Sequence, residues 1–103
     1  MRMIKQLSDE IRGNIDEAEH KIKMAYKLRD VHKGMADWYK DMAVAHLGFN
    51  TKGHELVKQM ISDAKTKMDD NPMMPGMVAA YEEIHADIVA ENAEVQGMIS
   101  AYK

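Results

Sequence analysis

Met35 to Met68 reads MADWYKDMAVAHLGFNTKGHELVKQMISDAKTKM, and the phase of this stretch decides the fold. Met35, Tyr39, Met42, His46, Phe49, Gly53, Val57, Met60, Ala64 and Met68 recur every three or four positions. That spacing sets them on one face of a helix with 3.6 residues per turn. Gly48 and Gly53 interrupt it, each costing about 1 kcal/mol against alanine, and Asn50-Thr51 offers a cap for a restart. Two helices are therefore one reading. A loop has no reason to preserve register, so the unbroken phase predicts one long helix over residues 31–69, with scope for a kink.

The flanks carry the same period. Upstream, Ile4, Leu7, Ile11, Ile15, Ala18, Ile22 and Ala25 predict a helix over 4–29. Ser8, followed by Asp9 and Glu10, has the chemistry of an N-cap, although a stripe beginning at Ile4 places it inside the helix instead. The phase weakens at Arg29, and Asp30 is a good cap for the next helix. Downstream, Asp69-Asp70-Asn71-Pro72 ends the second segment, and Pro72 to Pro75 is the clearest break in the chain. Met77, Tyr81, Ile84, Ile88, Val95, Ile99 and Tyr102 then predict a helix over 73–102. No segment alternates as a strand does.

The expected fold is thus all-α: a single domain, residues 1–103, of three antiparallel helices with a long central arm. Arms of roughly 25, 35 and 28 residues leave part of the longest one uncovered. Pairing with a second copy would cover it and complete a four-helix bundle, so a homodimer or higher homo-oligomer is expected.

Composition narrows the function. Fourteen basic and 17 acidic residues are interspersed, for a net charge of -3, so no basic block suits nucleic acid or an anionic membrane. The absence of cysteine excludes disulfides, thiolate metal sites and thiol catalysis. The longest apolar run, Met77 to Tyr81, is far too short to span a membrane, and Met1 to Gly13 lacks the apolar stretch of a signal peptide. A soluble, cytoplasmic protein is expected. Eleven methionines against one Phe and one Trp suggest a core filled by flexible thioethers.

The chemistry-bearing residues lie on the apolar faces. His46 falls mid-stripe on the second helix, with Asn50 and His54 one and two turns on. His85 and Asn92 fall mid-stripe on the third. An ionisable ring on a buried face costs free energy unless a carboxylate, a carbonyl or a metal pairs with it. Imidazole is a good ligand for zinc, iron or copper. Glu-x-x-His, which sets a carboxylate and an imidazole on one helix face, occurs at Glu17 to His20 and at Glu82 to His85. The first pair points away from the stripe, so Glu19, on its flank, is the better inward carboxylate. Glu82 lies one turn before His85 on the same side. His32, opening the second helix, reads as a capping or surface residue. Without a metal, the same residues serve as buried hydrogen-bonding groups that fix helix register.

Ala18-Glu19, Met35-Ala36-Asp37-Trp38-Tyr39, His54 before Leu56-Val57, and Tyr81-Glu82-Glu83-Ile84-His85 together resemble short ferritin-like proteins of the rubrerythrin type. The likeness covers residues 11 to 102. It implies a helical bundle holding two metal ions between helices, iron first, with zinc or manganese as substitutes. Carried over by position, the implied ligands are Glu19, His46, His54, Glu82 and His85. The family's second helix carries Glu-x-x-His, whereas this chain reads Ala43-Val44-Ala45-His46, a histidine without its carboxylate. Gly48 and Gly53 depart as well, and a degenerate site is the alternative.

Two functions follow. The first is a ferritin-like metal-binding bundle for iron handling or small redox chemistry. The second is a non-catalytic, self-associating helical protein without metal. Trp38 is followed by Tyr39-Lys40, so the small secreted hairpin built on a Trp-x-Gly turn is excluded. Ser8, Ser62 and Ser100 do not sit in nucleophile-like contexts, and there is no phosphate-binding glycine loop.

Overall fold

The computed structural model describes residues 2–66 and 74–103. The described residues form α1 (Arg2–Leu28), α2 (Lys33–Gly48), α3 (Asn50–Thr66) and α4 (Met74–Ala101), and no strand occurs among them. The end of the second segment, Asp69 to Pro72, and Met68 of its stripe lie outside the described residues. No helix of the described residues is long and apolar enough to cross a membrane.

α2 and α3 are one arm with a single-residue interruption. Phe49 keeps right-handed helical angles (φ -65°, ψ -22°), and its N–H still reaches the Ala45 carbonyl at 3.1 Å. Helical phase therefore carries through the junction, which is why the stripe survives Gly48. Asn50 does not cap a restart; its side chain leaves for α1.

Cross-helix contacts fix the topology. Asn14 meets Asn50 and Lys21 meets His46, so α1 runs antiparallel to the α2–α3 arm. Lys65 meets Glu82 and His54 meets Asn92, so α4 runs antiparallel to that arm as well. Arg12 meets Glu91 and Tyr26 meets Met98, so α1 and α4 are parallel. The result is an up-down-up rod of 59 × 16 × 16 Å.

Residues 29–32 join α1 to α2. Here the cap is His32 and not Asp30: the His32 imidazole accepts from the Met35 N–H at 3.1 Å, while Asp30 is exposed. Ser8 lies inside α1, buried, because that helix already begins at Arg2.

The core stripe of α1 is as expected, with Ile4, Ile11, Ile15, Ala18, Ile22 and Ala25 all buried. Each such isoleucine contributes about 1.5–3 kcal/mol of burial. On α2 the expected face is rotated by one residue. Ala36, Ala43 and Leu47 are buried, as is Asn50 at the start of α3, whereas Met35 and, at the junction, Phe49 are exposed and Tyr39 and Met42 lie at the edge. The cause is close packing: fully buried alanines on both helices (Ala18, Ala25, Ala36, Ala43) let α1 and α2 approach where large side chains would hold them apart. Methionine fills the margin of the core and not its centre. Met60 and Met98 pack against it half-buried, no methionine whose side chain is described is fully buried, and the buried cluster itself is built from Ile, Val, Leu and Ala.

Tyrosines close one end. The Tyr26 hydroxyl donates to the Met98 carbonyl at 2.7 Å, its ring packs edge-on against Tyr102 at 5.3 Å, and the Tyr102 hydroxyl donates to Asp37 at 3.4 Å. Lys33, one turn before Asp37, holds that carboxyl below the usual range through a 2.8 Å hydrogen bond.

Candidate functional site

Antiparallel packing of α3 on α4 brings His54 and His85 together, ring centroids 5.8 Å apart and planes at 64°. Both rings are half-buried. Asn92, two turns beyond His85, places its Oδ1 3.4 Å from Nε2 of His54. An amide oxygen only accepts, so Nε2 carries the proton. Nδ1 of His54 and Nδ1 of His85 are buried without a protein partner.

Two shallow grooves meet at His85 and Lys58. One, of about 300 Å³, runs past Lys58, Ser62, Lys65 and Glu82 to His85. The other, of about 270 Å³, is lined by His54, Glu55, Lys58, His85, Val89 and Asn92. The setting disfavours positive charge. Burial pushes the His85 imidazolium pKa down, His54 and Lys58 push it the same way, and Glu55 opposes them.

His46 stands apart, about 12 Å along the arm from His54. It faces α1, where the Lys21 ammonium donates to its Nε2 at 3.5 Å, and its Nδ1 is buried without a partner. Glu19 and Glu82 do not join the imidazoles. Glu19 pairs with Lys23 at 2.7 Å and Glu82 with Lys65 at 3.3 Å, both on the surface. The five residues carried over from the ferritin-like resemblance therefore do not share one coordination shell, and only His54 and His85 come together. Among the described residues no three His, Asp or Glu side chains are grouped to hold a metal ion. As expected from its phase, the Glu17–His20 pair is solvated.

Sequence reading missed Asn14, which donates to Asn50 Oδ1 at 3.0 Å while Asn50 donates to the Ile11 carbonyl at 3.2 Å. Its place three positions after Ile11 and four before Ala18, beside the apolar stripe of α1, was the available signal.

The lowered His85 pKa fixes a pH dependence. The unfolded imidazole titrates near its ordinary 6.5 and the folded one lower. Below 6.5 the unfolded chain binds the proton first, so stability is full above that value and falls as pH drops through it. Melting temperature should therefore fall further between pH 8 and pH 5 in the parent than in His85→Gln. Parallel curves would refute the burial effect.

No family model matches the chain, and no solved structure matches it. Among curated proteins it is similar to cellulose synthase-like protein E1 of Oryza sativa subsp. japonica, with 31% identity over 84 residues. The alignment covers 79% of this chain and 10% of that protein. The chain thus spans about a tenth of the length of the curated relative it matches, and this likeness does not place it in a family.

Proposed function

We propose that this chain is a non-catalytic helical interaction module. Its buried polar residues set helix register, and its task lies in what its outer faces hold. The observation that carries this reading is how the inner polar groups are used. Asn14, Asn50 and the Ile11 carbonyl form one chain of hydrogen bonds between α1 and α3. A buried, satisfied polar network rewards one alignment of the helices and penalises others. Ala43 supports the same reading: fully buried between helices, it stands where the resembling proteins carry a carboxylate. The absence of cysteine suits a soluble, cytoplasmic setting, which is part of the proposal.

A second reading, a ferritin-like metal-binding bundle, has one observation in its favour. His54 and His85 lie at a separation at which two imidazoles can share one ion, and each has an unpartnered buried nitrogen. Such an ion would take its ligands from that pair, with Glu82 free to contribute only by leaving Lys65.

Elemental analysis of protein purified without added metal separates the two. The interaction reading expects no stoichiometric transition metal and a melting temperature unmoved by iron, zinc or manganese. One ion per chain, lost together with thermal stability in His54→Gln and His85→Gln, would establish the second reading and remove the first.

A further inference from the structure

The outer side of the α2–α3 arm carries an apolar line that the core does not use. Met35, Trp38, Met42, Ala45, Phe49 and Leu56 follow one another at steps of three, four, three, four and seven. At 100° per residue they fall within an arc of about 80°, over about 32 Å of helix. This is the a/d spacing of a coiled-coil seam. It lies roughly 110° from the buried face, and Phe49 is 71% exposed, Trp38 54%, and Met35 and Leu56 46% each.

We infer that this seam is the docking face for a second copy of the same chain, paired antiparallel. The inference rests on the interaction reading above and names its partner. Size is the first argument. With large side chains offering up to about 150–250 Å² each, these exposed fractions leave on the order of 500 Å² of apolar surface, against about 800 Å² per partner in a standard interface. Flanking polar residues of the same face supply the remainder. A patch of this extent on a monomer marks an interaction site.

Self-complementarity is the second argument. A two-fold axis passing between Ala43 and Val44 sets Phe49 against Trp38 of the second copy and Met42 against its Ala45, aromatic on aromatic and large on small. The same operator sets Lys52, the one charged residue at a seam position, against Met35 of the other chain, over which its aliphatic stem can lie. Charge decides orientation. Parallel pairing would place Lys52 against Lys52, a like-charge contact, and antiparallel pairing separates them. An isologous interface of this kind closes as a dimer.

The chain's single tryptophan lies on the seam and reports on it. The 103-residue chain sedimented across roughly 1–100 µM should reach twice its 11.7 kDa mass, with Trp38 emission moving to the blue as the dimer forms. The Phe49→Lys/Leu56→Lys double variant should keep its helical circular dichroism and weaken the dimer by at least about 100-fold. Phe49→Ala is the milder companion should the double variant lose helicity. Met35→Cys mixed with Lys52→Cys should form an interchain disulfide, and neither should form one alone. A parent that stays monomeric, a dimer indifferent to the seam variants, or self-crosslinking of Met35→Cys would each overturn the proposal. A monomer without metal leaves the interaction reading standing with another partner, whereas stoichiometric metal removes that reading itself.

Discussion

Asn50→Asp is expected to lose about 3 kcal/mol of folding stability at pH 7 and to recover much of it on acidification. Asn50 is 2% exposed, and its two halves do different work. Its oxygen accepts from Asn14, a contact that a carboxylate keeps. Its nitrogen donates to the Ile11 carbonyl at 3.2 Å, and a carboxylate oxygen there meets another acceptor with nothing to donate. A buried, half-paired charge costs several kcal/mol. For a domain of this size that is a fall in melting temperature of about 12–24 °C. Burial raises the carboxyl pKa in the folded state above the unfolded value of about 3.9. Between those two values the folded chain binds the proton and the unfolded chain does not. Stability of the variant therefore rises as pH falls through the raised value, since the protonated acid can donate to Ile11 as the amide did. Urea unfolding of parent and variant at pH 7 and pH 4.5 reads the effect. An equal deficit at both pH values would show that Asn50 matters by shape alone and not by its donor.

The sequence made the helices and most of their order legible because apolar spacing is a local property. The α1 stripe is dominated by isoleucine, so its phase was unambiguous. On α2 the loudest residues, Met35, Tyr39 and Phe49, drew the stripe one position away from the true face, which is quiet: Ala36, Ala43, Leu47. Alanine adds little to a hydropathy pattern yet sets how closely two helices pack. Of these large residues Tyr39 packs half-buried against the core, whereas Met35 and Phe49 are exposed on the outer seam. The histidines divide along the same line. That His54 and His85 lie on facing stripes was legible from helical phase. That Glu82 turns to Lys65 was not, because that ion pair joins different helices and depends on their relative rotation. Glu19 with Lys23 is an i, i+4 pair that spacing alone could have offered.

Gly48 and Gly53 looked alike in the sequence, two helix breakers five positions apart, and the structure makes opposite predictions for them. A Cβ at Gly48 meets nothing within 4 Å, so Gly48→Ala should gain about 0.5–1 kcal/mol from helix propensity and a less flexible unfolded chain. At Gly53 a Cβ would sit 3.1 Å from both Cγ1 and Cδ1 of Ile11, a side chain only 3% exposed, so Ile11 must shift to admit it. Valine adds two further methyl groups at that contact. Overpacking of up to about 3 kcal/mol should outweigh the gain over glycine, and a net loss of about 2 kcal/mol lowers the melting temperature by roughly 8–16 °C, against a rise for Gly48→Ala. The two positions are distinguished by α1, not by their own helix. Ile11→Ala opens space at that contact, so in the Gly53→Val background it should cost less than it does in the parent, a coupling of 0.5 kcal/mol or more. If both glycine variants shift stability in the same direction, or if Ile11→Ala is additive with Gly53→Val, the close approach of α1 to α3 at Gly53 is wrong, and with it the register that Asn14, Asn50 and Ile11 define.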